Sequence, residues 1–221
     1  MRYPTVIAAA ALLAAGIAFH APAQAAPASD QATQEQPSDV VQSAAQQTLK
    51  ALDADREGYR KDPEKLQDLV DTYLLPHFDT QLSAQLVLGR YWRTATPTQR
   101  QQFISAFIHS MLNNYGTALL DFTANTLKVY PSRVAAGATV ATVRTEVTRT
   151  NGARDSVNFY MKKTPQGWQA FDVIIDGISY VTSYREDFQS QIAQQGIDAV
   201  IKRLQSGEKP AQISHITGKR P

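Results

Sequence analysis

The chain contains no cysteine in 221 residues, so no disulfide braces it and no lipid can be attached through an N-terminal cysteine. It also lacks a dominant charge. Lys and Arg number 22 against 20 Asp and Glu, a formal +2, which is far from the basic footprint that captures nucleic acid. No stretch is long and apolar enough to span a bilayer. The longest, Val6 to Phe19, is about 14 residues where a membrane helix needs about 20. The motifs that announce common chemistries are missing too: there is no Gly-x-Ser-x-Gly nucleophile turn and no glycine-rich phosphate loop. His77, His109 and His215 stand too far apart to form a zinc-ligand pattern, and there is no thiolate to help them.

The N-terminus has the three parts of an export signal. Arg2 provides the positive end, the Val6–Phe19 run is the apolar segment, and Ala23-Gln24-Ala25 after Pro22 is a small-residue cleavage site. Removal of residues 1–25 leaves an exported, soluble chain of roughly 200 residues, long enough for one domain to bury about 70% of its unfolded surface without staples. Residues 26–39 and 206–221 are polar and rich in Ala, Gln, Pro, Ser or Gly, and read as a flexible leader and tail. The folded part is then 40–205.

Helical periodicity comes first. Val40 to about Arg60 is apolar at Val41, Ala45, Leu49, Leu52 and Tyr59, and Asp62-Pro63 starts a second helix as N-cap and first residue. A third segment runs from about Thr80 to Trp92. Thr96-Pro97-Thr98-Gln99 is a capping box opening a long helix to about Phe122, with a wide apolar stripe from Phe103 to Phe122. After Asn125 the period falls to two. Strands are predicted at 126–130, 139–150, 154–163 and 168–176, the middle pair joined by an Asn151-Gly152 turn. The last strand is apolar on both sides, with Phe171, Val173 and Ile175 on one and Trp168, Ala170 and Ile174 on the other, as for a strand covered twice. Ser183-Tyr184-Arg185-Glu186 reads as a second capping box, Gly196 interrupts that helix, and Asp198 caps a final short one. The expected fold is α+β, a curved antiparallel sheet of about four strands packed against several helices.

No catalytic set accompanies these elements. Asp172 and Asp176 share one strand at about 6.6–7 Å, but nothing beside them would orient a substrate. Asp172 reads better as a buried structural acid paired with a hydroxyl or with Arg185, and Asp176 as part of the turn before Gly177. The bulky apolar inner faces of helix and sheet either close into a solid core or open into an apolar pocket, and composition leaves both open.

One segment, Leu86-Val87-Leu88-Gly89-Arg90-Tyr91-Trp92-Arg93-Thr94-Ala95-Thr96-Pro97-Thr98-Gln99-Arg100, resembles the MlaC family of phospholipid carriers, also called the toluene-tolerance auxiliary family. The likeness continues at Phe103, Ala106-Phe107 and Tyr115-Gly116, and returns in Gly167–Val173 and in Asp176-Gly177-Ile178-Ser179. The resemblance implies a domain enclosing a hydrophobic cavity for acyl tails, with no cofactor and no enzymatic activity, the phospholipid being cargo. It further implies a monomer in the periplasm that exchanges glycerophospholipid between an outer-membrane lipoprotein–porin complex and an inner-membrane ABC transporter with an MCE-domain protein, with no nucleic-acid partner. The candidate wall residues are Val87, Tyr91, Phe107, Met111, Tyr115, Val143, Val147, Phe159, Met161, Phe171, Val173 and Ile175, each of which also fits a solid core. Arg90, Arg93, Arg144 and Arg149 are cations available near a mouth, each read singly as a solvated charge. A carrier of another lipid, such as a hopanoid or a cardiolipin-like species, an enzyme of similar shape, and a solid interaction module remain alternative readings.

Overall fold

The computed structural model describes residues 35–123, 125–148 and 152–207, with Asn114 and Tyr115 described by backbone only. The export signal, most of the leader, the Asn151 end of the hairpin and the tail beyond Gly207 lie outside the described residues.

Helix α1 (Pro37–Ala54) begins three residues before the predicted folded part. Proline is its first residue, Gln36 and Asp39 form its capping box, and Pro37 and Ser38 are already buried. The predicted first helix breaks at Asp55, whose side chain accepts from the Gly58 amide and starts α2 (Arg56–Lys61). Asp62 caps α3 (Pro63–Tyr73) through the Glu64 and Lys65 amides, as its Asp-Pro signal predicts. A 3-10 turn, Leu75–His77, leads to α4 (Thr80–Leu88). Gly89, at φ 53° and ψ −120°, separates it from α5 (Tyr91–Thr94). Thr96 and Gln99 close the capping box of α6 (Pro97–Tyr115), and a 3-10 segment, Gly116–Asp121, replaces the helical end expected at Phe122.

Strands β1 (Leu127–Val129), β2 (Val140–Thr148), β3 (Arg154–Thr164), β4 (Gly167–Ile175) and β5 (Ile178–Ser179) form one antiparallel sheet in chain order. The fold class is α+β as expected, with five strands. The fifth is only two residues long, too short to leave a period-two signal. Phe78 and Asp79 run beside the start of β4, where the Asp79 amide donates to the Ala170 carbonyl at 2.8 Å.

After β5 the chain turns directly into α7 (Tyr180–Gln195), capped by Ser179 and not by Ser183 as predicted. Asp172 is the reason. It is buried under the first turn and accepts from the Val181 amide at 3.0 Å and the Ser179 hydroxyl at 2.5 Å, so the helix starts where its carboxylate lies. The expected Asp172–Arg185 pair does not form, because Arg185 donates through Nε to the Leu86 carbonyl at 2.6 Å. Gly196 ends α7 as predicted and begins α8 (Ile197–Gln205), displacing Asp198 from the cap into the first turn.

Candidate functional site

A β-bulge decides which side chains face the helices. Along β3 and β4, Val157 pairs with Ile175 and Phe159 with Val173, but Met161 pairs with Ala170 and Lys163 with Trp168. Paired residues share a face, so the extra residue, Phe171, shifts the alternation by one. Trp168, Ala170, Val173 and Ile175 therefore all belong to the inner face with Val143, Val147, Val157, Phe159 and Met161. This corrects the predicted alternation. The bulge is anchored from α4, where Ser83 donates to the Phe171 carbonyl at 2.7 Å.

The interior beside this face is divided into three apolar clusters. The first joins α4, α6, α7 and α8 around Phe103, Phe107, Tyr184 and Phe188. Phe103 and Phe107 stack at 5.7 Å, and the edges of Tyr184 and Phe188 meet Phe107 at 5.0 and 6.2 Å. The second lies between the start of α1 and the sheet, with Val40, Val41, Val143, Met161, Trp168 and Ala170. The third lies between the end of α1, α3 and the 3-10 segment after α6, around Leu52, Leu69, Val70 and Leu120. Among the described residues the first cluster is the largest, and the other two flank it as smaller satellites.

At the margins of these clusters the apolar side chains are only half-buried. On the sheet they are Val157, Phe159, Val173 and Ile175, and β3 packs closely only against its neighbouring strands among the described elements. On α6 they are Ile104, Ile108, Met111 and Leu112, one stripe round from the buried Phe103, Ala106, Phe107 and Ser110. Phe78, edge-on to Phe159 at 6.4 Å, and Tyr73, Leu74 and Leu75 add to the margin. These partly buried side chains are the apolar surface that the central strands leave incompletely covered on their helix-facing side.

The predicted wall residues separate accordingly. Tyr91, Met111, Phe159, Val173 and Ile175 are half-buried, and Val87, Phe107, Val143, Val147 and Met161 are buried in packed surroundings. Phe171 lies on the other side of the sheet beside Tyr160, ring centroids 6.4 Å apart, and with Val140, Thr142 and Tyr160 it lines an open hollow of about 470 Å³ that Ala141 and Met161 also line. The side chain of Tyr115 is outside the described residues. Val157, Ile104, Ile108 and Phe78 lie in the same partly buried margin and were not among the predicted wall residues. The α6 pair follows a second i, i+4 stripe legible in the sequence, whereas Phe78 sits in a connector with no period. Of the cations, Arg144 lines a polar hollow of about 460 Å³ on the outer face with Tyr130, Glu146 and Arg154, Arg90 and Arg93 project from α5, and Arg149 is outside the described residues. Away from the sheet, a hydrogen bond from Lys65 holds the exposed Asp55 carboxyl below its ordinary range and raises Lys65 in turn, a clasp between the starts of α2 and α3. Among the described residues no group of three His, Cys, Asp or Glu could hold a metal ion, and no helix is long and apolar enough to cross a membrane.

The profile of the MlaC protein family matches residues 42–206, three-quarters of the chain and all but the edges of this fold. The chain belongs to the MlaC family. It is 31% identical over 163 residues to the toluene tolerance protein ttg2D of Pseudomonas putida, covering 73% of this chain and 75% of that one. It is 22% identical over 169 residues to the intermembrane phospholipid transport system binding protein MlaC of Haemophilus influenzae, covering 75% and 79%. A solved structure of a phospholipid-binding protein from Ralstonia solanacearum, in complex with a phospholipid, superimposes with a TM-score of 0.72 at 27% identity, covering 79% of this chain and 96% of that one. Within this MlaC-family chain, the partly buried apolar margin draws on residues on both sides of the bulge, so the Gly167–Val173 block of the family likeness has a structural role in shaping the inner face.

Proposed function

We propose that the protein is a periplasmic phospholipid carrier whose acyl tails lie between the inner face of β3 and β4 and the half-buried stripe of α6. The carrying observation is the half-exposed apolar set Val157, Phe159, Val173 and Ile175 on the helix-facing side of central strands, bordered by three clusters that do not merge. The phospholipid in the Ralstonia relative supports it. Met111 suits the wall because its flexible thioether adapts to tails of different shape.

The physics favours exchange over tight capture. About 30 methylenes moved from water to the recess would contribute about 24 kcal/mol at ~0.8 kcal/mol each. That exceeds what any non-covalent complex attains. The relevant transfer is from bilayer to recess, where the apolar terms nearly cancel and small biases at docking direct the lipid. In this reading the lipid passes between an outer-membrane lipoprotein–porin complex and an inner-membrane ABC transporter with an MCE-domain protein, and the carrier acts as a monomer without chemistry on its cargo.

Native mass spectrometry of the mature protein, followed by organic extraction, tests the cargo. A bound diacyl phospholipid is expected. A lipid-free spectrum after expression in a membrane-rich host, together with no uptake from liposomes, would falsify the carrier reading.

A further inference from the structure

The charges of this nearly neutral chain are unevenly placed. No Asp or Glu occurs between Asp79 and Asp121, a segment that holds α4, α5 and α6 and carries Arg90, Arg93 and Arg100. The three arginines converge on the four-residue α5 and its flanks. Arg90 lies 4.9 Å over the Tyr91 ring and donates to its hydroxyl at 2.9 Å. Arg100 lies 5.1 Å over the Trp92 ring and donates to the Trp92 carbonyl at 2.9 Å. Arg90 and Arg93 are exposed and, among the described residues, neither meets a carboxylate. On the neighbouring helices, Asp198 accepts from Gln99 at 2.8 Å and Glu186 of α7 is exposed.

Tyr91 and Trp92 are half-buried, each with a wall against the first cluster and an edge at the surface. Half-wet aromatic rings flanked by arginines that meet no carboxylate are the composition of elements that rest at a bilayer–water interface. Gly89 fixes the projection. Its φ of 53° turns the chain out of α4, and a Cβ there would lie 2.6 Å from Gln189 Nε2, so the corner is held closely against α7.

We infer that this α5 corner is a docking surface for an anionic phospholipid bilayer, with Arg90 and Arg93 reaching the headgroup phosphates and Trp92 and Tyr91 at the headgroup level. The inference does not rest on the cargo reading, because the corner contributes the surface of contact and not the recess. Each arginine near an anionic surface strengthens attachment about fivefold, and the attraction falls away within a Debye length.

The test uses the mature protein with whatever lipid it carries, mixed with vesicles of phosphatidylcholine alone or with about one-third phosphatidylglycerol. Co-sedimentation is expected only with the anionic vesicles at low salt, and to be lost at high salt. Arg90→Gln with Arg93→Gln should weaken it about 30-fold, with melting temperature and bound lipid by mass spectrometry unchanged. Arg154→Gln with Lys162→Gln, on the outer sheet face, should leave it intact. Since the chain has two tryptophans, Trp168→Phe leaves Trp92 as sole reporter, and its emission should shift to the blue on anionic vesicles. Absence of vesicle binding overturns the proposal and leaves the corner to an acidic protein surface. Equal loss in both double variants overturns it in favour of unspecific charge, and an unmoved Trp92 emission during binding places the contact elsewhere. Loss of bound lipid from unaltered protein would instead count against the carrier reading, so the two failures are distinct.

Discussion

Asp172 illustrates how one side chain can look chemical and be architectural. It is a buried carboxylate with another acid four residues on, yet its oxygens are taken by the Val181 amide and the Ser179 hydroxyl, and it sets where α7 begins. Asp176 adopts a φ of 49° in the turn and accepts from the Ser156 amide at 3.0 Å, closing the end of the sheet. Asp172→Ala would leave the buried Val181 amide without an acceptor and the Ser179 hydroxyl with Thr182 Oγ1 alone, and a loss of about 1–3 kcal/mol is expected in urea unfolding, with lipid per folded molecule unaltered. A loss below about 0.5 kcal/mol, the size of an ordinary surface change, would show that the carboxylate is not holding α7. Gly89 is likewise architectural, because its positive φ disfavours any side chain and a Cβ there would have to displace the amide end of Gln189.

Along α6 two adjacent apolar stripes have different roles, and substitutions should separate them. Phe107 is 4% exposed within stacked rings, so Phe107→Ala should cost about 3–5 kcal/mol whether or not lipid is bound. Met111 and Val173 border the recess, so Met111→Trp or Val173→Trp should fill it, lowering lipid occupancy while the melting temperature of the stripped protein changes little. Parallel losses of occupancy and stability at both positions would make them ordinary core. The helix starts at Asp62-Pro63 and Thr96-Pro97, the period-two strands and the Gly196 break were legible because each has a local chemical cause. The bulge at Phe171 was not, since it arises from the register with β3 and from Ser83 of a distant helix. That one unread residue moved Trp168 and Ala170 to the inner face and Phe171 out of it. The long stripe of α6 was legible as apolar, but its division into buried and half-buried halves depends on which neighbours arrive, and periodicity alone does not specify them.

For the molecule as a whole, the partly buried apolar side chains on β3, β4 and α6 among the described residues are surface that a ligand could cover further. A chain without disulfides has no other brace against that deficit, and a lipid in the recess would join the sheet to α6 and complete the burial. Cargo should then act as a stabilising ligand. At a free lipid level about 100 times the dissociation constant the gain is about 2.7 kcal/mol, which for a domain of this length raises the melting temperature by about 5–10 °C. Protein stripped by organic extraction and refolded is therefore expected to melt lower and to bind more of a hydrophobic dye, and reloading from phosphatidylglycerol or phosphatidylethanolamine vesicles should reverse both changes. Met111→Trp should show a smaller difference between stripped and loaded forms, because its indole already occupies part of the space. If stripped and loaded protein melt together and bind the dye equally, the recess closes on its own, and the half-buried set on β3 and β4 has some use other than holding tails.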